Sequence, residues 1–235
     1  MISRADRIAE NLRVVRGRMA EAARRAGRSP DDVRLVAVTK YVGAEDARDL
    51  IAAGCRELGE SRPQQLWRKA AVLETAGVLW HLIGHLQRNK VARTLPLVSL
   101  VHSGDSLRLL EALDAETALA KGDRLPVLLE VNVSGDTAKH GFKPGELGPL
   151  ADRLAMLPRI EIKGLMAMAG REGDLDEARR EFAALRRLRD ELRPAWAGRW
   201  SLDELSMGMS GDYEVAIEEG ATLVRVGTAL FEGLE

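Results

Sequence analysis

The chain has 235 residues, 35 basic and 36 acidic side chains and a net charge of −1, so it can bury a full core and carries no electrostatic footprint for nucleic acid. A single cysteine, Cys55, excludes an internal disulfide and reads as a small core residue in a reducing compartment. No apolar run approaches the ~20 residues that span a bilayer, and Met1-Ile-Ser-Arg-Ala-Asp6 begins no secretory core, so a soluble, cytoplasmic, monomeric protein with neither membrane nor nucleic-acid partner is expected.

The first element is a long amphipathic helix over 3–26. Ser3 and Asp6 resemble a capping pair, Ile8, Leu12, Val15 and Met19 recur at helical spacing, and Gly27 stops the pattern. A βα rhythm follows. Val33–Thr39 leads through Lys40 to a helix over 44–53, and Glu57–Gly59 to a helix from about Pro63. Trp80–Ile83 leads to a helix over 86–93, and Leu97–His102 to one over 106–120. Pro126–Val133, Ile160–Met168, Glu204–Met207 and Leu223–Val226 complete eight strands, with helices over 147–156, 174–192 and 213–219 between them. The stretches 121–124 and 170–176 read as ordinary loops, and nothing marks a linker.

Short apolar strands alternating with helices point to one domain over 1–235, an α/β fold of the (β/α)8 TIM-barrel type, with a doubly wound open sheet as the alternative. No helix follows the eighth strand in the pattern, and the opening helix is expected to complete the outer ring. In such barrels the reactive groups stand at the C-terminal strand ends, and phosphate sites are often built by the loops after strands seven and eight. Those two stretches are Glu204-Leu-Ser-Met-Gly-Met-Ser-Gly211 and Val224-Arg-Val-Gly-Thr228, rich in the small residues that let backbone N–H groups and hydroxyls close around an anion. Arg225 is a guanidinium within an apolar strand, which needs an acceptor. Lys40 ends the first strand, where a partly desolvated mouth would depress its pKa and free a nucleophilic amine. An amine, a phosphate cradle and an inward Arg suggest a ligand with an aldehyde, a phosphate and a ring acceptor, features combined in pyridoxal 5'-phosphate.

Other constellations carry less. His81 and His85 are four apart but straddle a strand end and bring no cluster of Cys, Asp or Glu with them, so no metal centre is expected. Gly208-Met-Ser-Gly211 lacks the glycine pattern of a nucleophile elbow, and neither a Walker loop nor a dinucleotide fingerprint occurs. The arginines of 179–189 alternate with glutamates and read as a solvated helix face.

Taken together, Val36-Ala-Val-Thr-Lys40, Gly59-Glu60, Trp80-His-Leu-Ile-Gly84, Leu86-Gln87, Asn89-Lys90, Gly164-Leu-Met166, Leu205-Ser-Met-Gly-Met-Ser210 and Val224-Arg-Val-Gly-Thr228 resemble the pyridoxal phosphate homeostasis proteins of the YggS/PROSC type. The resemblance runs through nearly the whole chain. It implies a barrel similar to that of alanine racemase, with Lys40 holding pyridoxal 5'-phosphate as a Schiff base. It further implies Ser206, Ser210, Gly227 and Thr228 on the phosphate, Arg225 facing the pyridine nitrogen, and Ile83 and Met207 lining the ring pocket. Ser61 stands where the family usually has asparagine. The implied function is intracellular cofactor homeostasis, a carrier or buffer without catalytic residues of its own, with pyridoxal phosphate-dependent apoenzymes as partners. The alternatives are a pyridoxal phosphate-dependent amino-acid racemase of the alanine racemase type, or a barrel that takes a phosphorylated aldehyde only as substrate. Against the racemase stand the end of the chain just after the last strand and the place of Tyr41 beside Lys40, from which it is expected to point away.

Overall fold

A computed structural model describes residues 2–73, 77–120, 123–136, 140–170 and 173–234, and the loops expected at 121–124 and 170–176 lie partly outside them. Eight parallel strands pair in sequence order and close into a barrel: β1 (Arg34–Val38), β2 (Glu57–Glu60), β3 (Leu79–Leu82), β4 (Leu100–Gly104), β5 (Leu125–Glu130), β6 (Ile160–Met166), β7 (Glu204–Ser206) and β8 (Leu223–Val226). Closure comes from β1 against β8, where Arg34, Leu35, Val36 and Ala37 lie opposite Leu223, Val224, Arg225 and Val226. An open sheet is thereby excluded. Around the barrel stand α1 (Arg4–Arg25), α2 (Ala44–Ala52), α3 (Pro63–Val72), α4 (Val91–Thr94), α5 (Leu107–Leu119), α6 (Leu147–Ala155), α7 (Leu175–Trp196) and α8 (Tyr213–Glu218).

The opening helix takes the place expected of it. The Ser3 hydroxyl accepts from the Asp6 N–H at 3.1 Å and starts α1. Ile8, Leu12, Val15, Met19, Ala22 and Ala23 form its buried stripe, each of the larger ones stabilising the fold by roughly 1.5–3 kcal/mol. That stripe packs between α2 and α8 and over the short 3-10 turn Thr228–Leu230 that follows β8. One helix differs from expectation. Where residues 86–93 read as continuous, the chain forms a 3-10 turn over Arg88–Lys90, the single turn of α4, and another 3-10 turn over Leu95–Leu97. Pro96 has no N–H to extend the α pattern.

Side chains alternate across the barrel wall. Those facing outward, such as Leu35, Ala37, Leu58, Trp80, Leu82, Val101, Val127, Leu129 and Leu205, join the helices in one large apolar core. Facing inward, Val36, Leu100, Leu128, Met166 and Leu223 make a small second cluster with Ile83 packed on it. The rest of the interior is largely polar.

Candidate functional site at the barrel mouth

The C-terminal strand ends surround a cavity of about 550 Å³, within the roughly 300–1,000 Å³ usual for small-molecule sites. Lys40 and Tyr41 enter it from the end of β1, Ser61 from β2, Ile83 and Gly84 from β3, and Met168 from beyond β6. Met209, Ser210 and Gly211 follow β7, while Arg225, Gly227, Thr228 and Phe231 come from β8 and its turn. The structure thus gathers Lys40, Ile83, Ser210, Arg225, Gly227 and Thr228, six of the sequence-derived positions, around one space.

Two others lie elsewhere. Ser206 is fully buried inside the barrel and Met207 is fully buried in the outer core. The reason is where β7 stops. Pairing with β8 continues past its last strand residue, since Met207 N–H donates to Leu223 C=O at 3.1 Å and Arg225 N–H to Gly208 C=O at 3.0 Å. Met207 therefore keeps the outward side of Leu205. The chain turns only at Gly208, whose φ of +92° would strain any other residue, and it is Met209 that reaches the cavity. Loop and hydroxyl then meet at Ser210, whose Oγ accepts from the N–H groups of Gly227 at 3.2 Å and Ala229 at 3.4 Å. This ties the two Gly-rich loops into one corner.

Lys40 is exposed at the mouth and not desolvated as expected, and its Nζ rests 4.8 Å from the centroid of the Tyr41 ring. Tyr41 itself lines the cavity and does not turn away. Arg225 is the buried cation of the pair. Its Nη1 donates to Ser206 Oγ at 2.6 Å and its Nη2 to Ala167 C=O at 3.0 Å, and burial lowers its pKa to about 10, against the opposing pull of Asp212 and Glu130. It remains a cation at neutral pH, with further N–H donors beyond those two.

Below Arg225 a column of hydrogen bonds runs down the barrel axis. Ser206 Oγ lies 2.8 Å from His102 Nδ1, and His102 Nε2 lies 2.9 Å from His81 Nδ1. His81 Nε2 stands 3.4 Å from Glu57 Oε2, which with Glu204 receives Arg34. One pattern of donors satisfies every link. Arg225 donates to Ser206, whose hydroxyl donates to His102, which donates through Nε2–H to His81, and the His81 Nε2–H is left on the side of Glu57, a contact at 3.4 Å. Both imidazoles are then neutral, in agreement with burial, which lowers His81 to about 3 and His102 well below its ordinary value.

Residue reading alone missed two groups, Glu130 and Lys69, and the partners of a third, His85. Glu130 faces inward at the end of β5, and burial together with Asp105 raises its pKa to about 7. Lys69 of α3 is buried behind β1, donating to Thr39 C=O and Glu60 Oε1, both at 2.5 Å. His85 does not pair with His81. It meets Asp105 and His140 instead.

Comparison with known proteins places this architecture. Residues 4–234 match the family model of the alanine racemase N-terminal domain. A pyridoxal phosphate homeostasis protein from Pseudomonas aeruginosa is 42% identical over 224 residues, 95% of this chain and 94% of that one. The chain belongs to this family. A pyridoxal phosphate homeostasis protein from Escherichia coli is 38% identical over 231 residues, 95% of both chains. Among solved structures, PipY of Synechococcus elongatus with PLP bound superposes with a TM-score of 0.84 at 35% identity, covering 95% of this chain and 99% of that one. The alanine racemase of Bartonella henselae shares the fold alone, at 20% identity and a TM-score of 0.68 over 58% of its length. The fold therefore makes up nearly the whole of the PipY chain and 58% of the racemase chain.

Proposed function

We propose that this chain holds pyridoxal 5'-phosphate at the barrel mouth and serves cytoplasmic cofactor homeostasis as a carrier or buffer, delivering it to pyridoxal phosphate-dependent apoenzymes. The observation that carries the reading is the convergence on one cavity of an amine, a buried guanidinium and a hydroxyl-and-amide corner, in a family whose PipY member was solved with PLP. The donor set fits the group. Lys40 supplies the amine that condenses with the aldehyde, with loss of water. Ser210, Gly227 and Thr228 hold the phosphate; the Ser210 O–H has no acceptor among the described residues and can give its proton to an anion. Arg225 faces the ring nitrogen, and Ile83, Met168 and Met209 border the ring in the places first assigned to Ile83 and Met207. Ser206 acts indirectly, by fixing Arg225.

When bound, the cofactor supplies an aldehyde and an electron-withdrawing ring. Arg225 restrains the second property, because a guanidinium can only donate and so requires an unprotonated ring nitrogen. Racemisation in addition needs proton-moving groups on two faces of the substrate adduct. Lys40 and Tyr41 stand together on one side, ammonium against ring. These features support a chain that binds the cofactor without efficient turnover, in keeping with relatives named for homeostasis.

The test is a visible absorption spectrum of the loaded protein before and after borohydride, followed by peptide mapping. The label is expected on Lys40 and is lost in Lys40→Ala; a label on Lys90 or Lys143 overturns the assignment. Exchange of amino-acid α-protons into deuterated solvent at about 1 s⁻¹ or faster would overturn the carrier reading in favour of a racemase or related enzyme.

A further inference from the structure

Beside the cavity, three strand ends bring together side chains that lie far apart in sequence. His85 follows Gly84 at the end of β3, Asp105 follows β4, and His140 comes from the loop beyond β5. One ligand atom from each lies within 4.8 Å of the other two. His85 Nδ1 stands 2.6 Å from Asp105 Oδ2, and the rings of His85 and His140 stack at 4.7 Å between centroids. Asp105 is buried, and its other oxygen accepts from Ser106 Oγ at 3.0 Å, so the carboxylate is fixed while the two imidazoles are exposed and able to turn.

We propose that His85, Asp105 and His140 form an open binding site for one divalent transition ion of the zinc class. Two imidazoles and a carboxylate are the donor set such ions prefer over calcium or magnesium. Three protein ligands fill three of four tetrahedral positions and leave one toward the mouth for water or for an oxygen of whatever the mouth holds. With metal–ligand bonds of about 2.0–2.1 Å, donors around one ion stand roughly 3.4 Å apart. The His85–Asp105 pair at 2.6 Å must open by about 0.8 Å and the separations of up to 4.8 Å must shorten by up to about 1.4 Å, movements open to two exposed imidazole rings.

The loop is folded so as to bring His140 there. Phe142 N–H donates to Glu130 C=O at 2.8 Å and Asn132 N–H to Phe142 C=O at 2.9 Å, pinning the returning chain on the end of β5. Gly141, at φ +106°, passes so close that a Cβ would stand 2.8 Å from the Glu130 carbonyl oxygen. A surface ion pair between His85 and Asp105 would need none of this. Inside the ring, Glu130 stands close enough to feel both Asp105 and His85.

The test uses the full chain, chelator-treated and without added cofactor, so its outcome is separate from that of the borohydride experiment. Titration with Co²⁺, followed by visible absorption, and equilibrium dialysis with Zn²⁺ should both show one saturable equivalent. His85→Ala and His140→Ala, at exposed positions that leave the thermal melt in place, should each weaken binding by about 100-fold. No saturable binding, or binding that either variant leaves unchanged, overturns the site.

Discussion

The same strands bury polar groups on both of their faces, and the two clusters are built differently. Inside the barrel, Arg225, Ser206, His102 and His81 form a hydrogen-bonded column that a 3.4 Å contact continues to Glu57 and its ion pair with Arg34, and the upper end opens on the cavity. Outside it, Lys69, Glu60 and Thr39 form a clamp sealed between β1, β2 and α3, where Thr39 Oγ1 donates to Glu60 Oε1 at 2.6 Å and Glu60 Oε2 is buried without a hydrogen-bond partner among the described residues. The clamp grips the residue immediately before Lys40 and has no route to the ligand. The difference teaches that a fully chained polar column can pass orientation to a ligand-facing group, whereas a partly satisfied ion pair fixes backbone at a cost in desolvation.

Removing one side of the clamp should have the largest effect. Lys69→Met leaves Glu60 as an uncompensated buried charge with one oxygen already orphaned, for an expected loss of about 3–5 kcal/mol in urea denaturation. Adding Glu60→Leu should restore at least half of it. A loss under about 1 kcal/mol would show that the clamp does not hold the strand end.

The column is expected to reveal itself through acid. His81 and His102 are neutral when folded but take protons when unfolded below pH 6.5, so the unfolded chain binds more protons and stability falls as pH drops from 6.5 toward 3. Each contributes on the order of 1.4 kcal/mol per pH unit in that range. Glu130 works in the opposite sense. With its folded pKa raised from 4.5 to about 7, it is protonated first in the folded state and offsets about one histidine between those values. Denaturation curves between pH 6.5 and 5 should therefore show a steeper loss for Glu130→Gln than for the parent chain, by roughly 1.4 kcal/mol per unit. Equal slopes would remove Glu130 from the balance.

The barrel was legible because its signal is local and repeated: each strand is a short apolar run, each helix a periodic stripe, and the opening helix had only one gap to fill. Lys40, Arg225 and the two small-residue loops could be placed at the mouth because a strand end is visible in sequence, whereas the choice of Ser210, Gly227 and Thr228 within those loops came from the family resemblance. What could not be seen is how far a pairing runs. β7 looked finished at Met207, yet the hydrogen bond from Arg225 to Gly208 carries it further, which turned Met207 outward and drew Ser206 inside. Partners were hidden for a related reason. His102 and Ser206 are 104 residues apart, and Lys69 and Thr39 are 30 apart, distances at which no spacing rule operates.

The two serines of this loop offer the finest test of the comparison. Ser206 belongs to the column, where its hydroxyl serves Arg225 and His102 and is fully buried; Ser210 belongs to the mouth, where it is half-buried beside the Gly227 N–H. Ser206→Ala strands a buried guanidinium N–H and an imidazole nitrogen, and should cost about 1–3 kcal/mol of stability whether or not cofactor is present. Ser210→Ala removes a partly solvated acceptor, for about 0.5 kcal/mol or less in the unliganded chain. In binding the order should reverse. Loss of one charge-assisted hydrogen bond of about 1.5–3 kcal/mol predicts that Ser210→Ala weakens pyridoxal 5'-phosphate by 10-fold or more and leaves unphosphorylated pyridoxal nearly unchanged. Ser206→Ala should weaken both ligands alike, since it disturbs Arg225 and not the phosphate corner. Parallel thermal melts and ligand titrations of the two variants would decide it, and a phosphate-selective loss in Ser206→Ala would return that serine to the cradle.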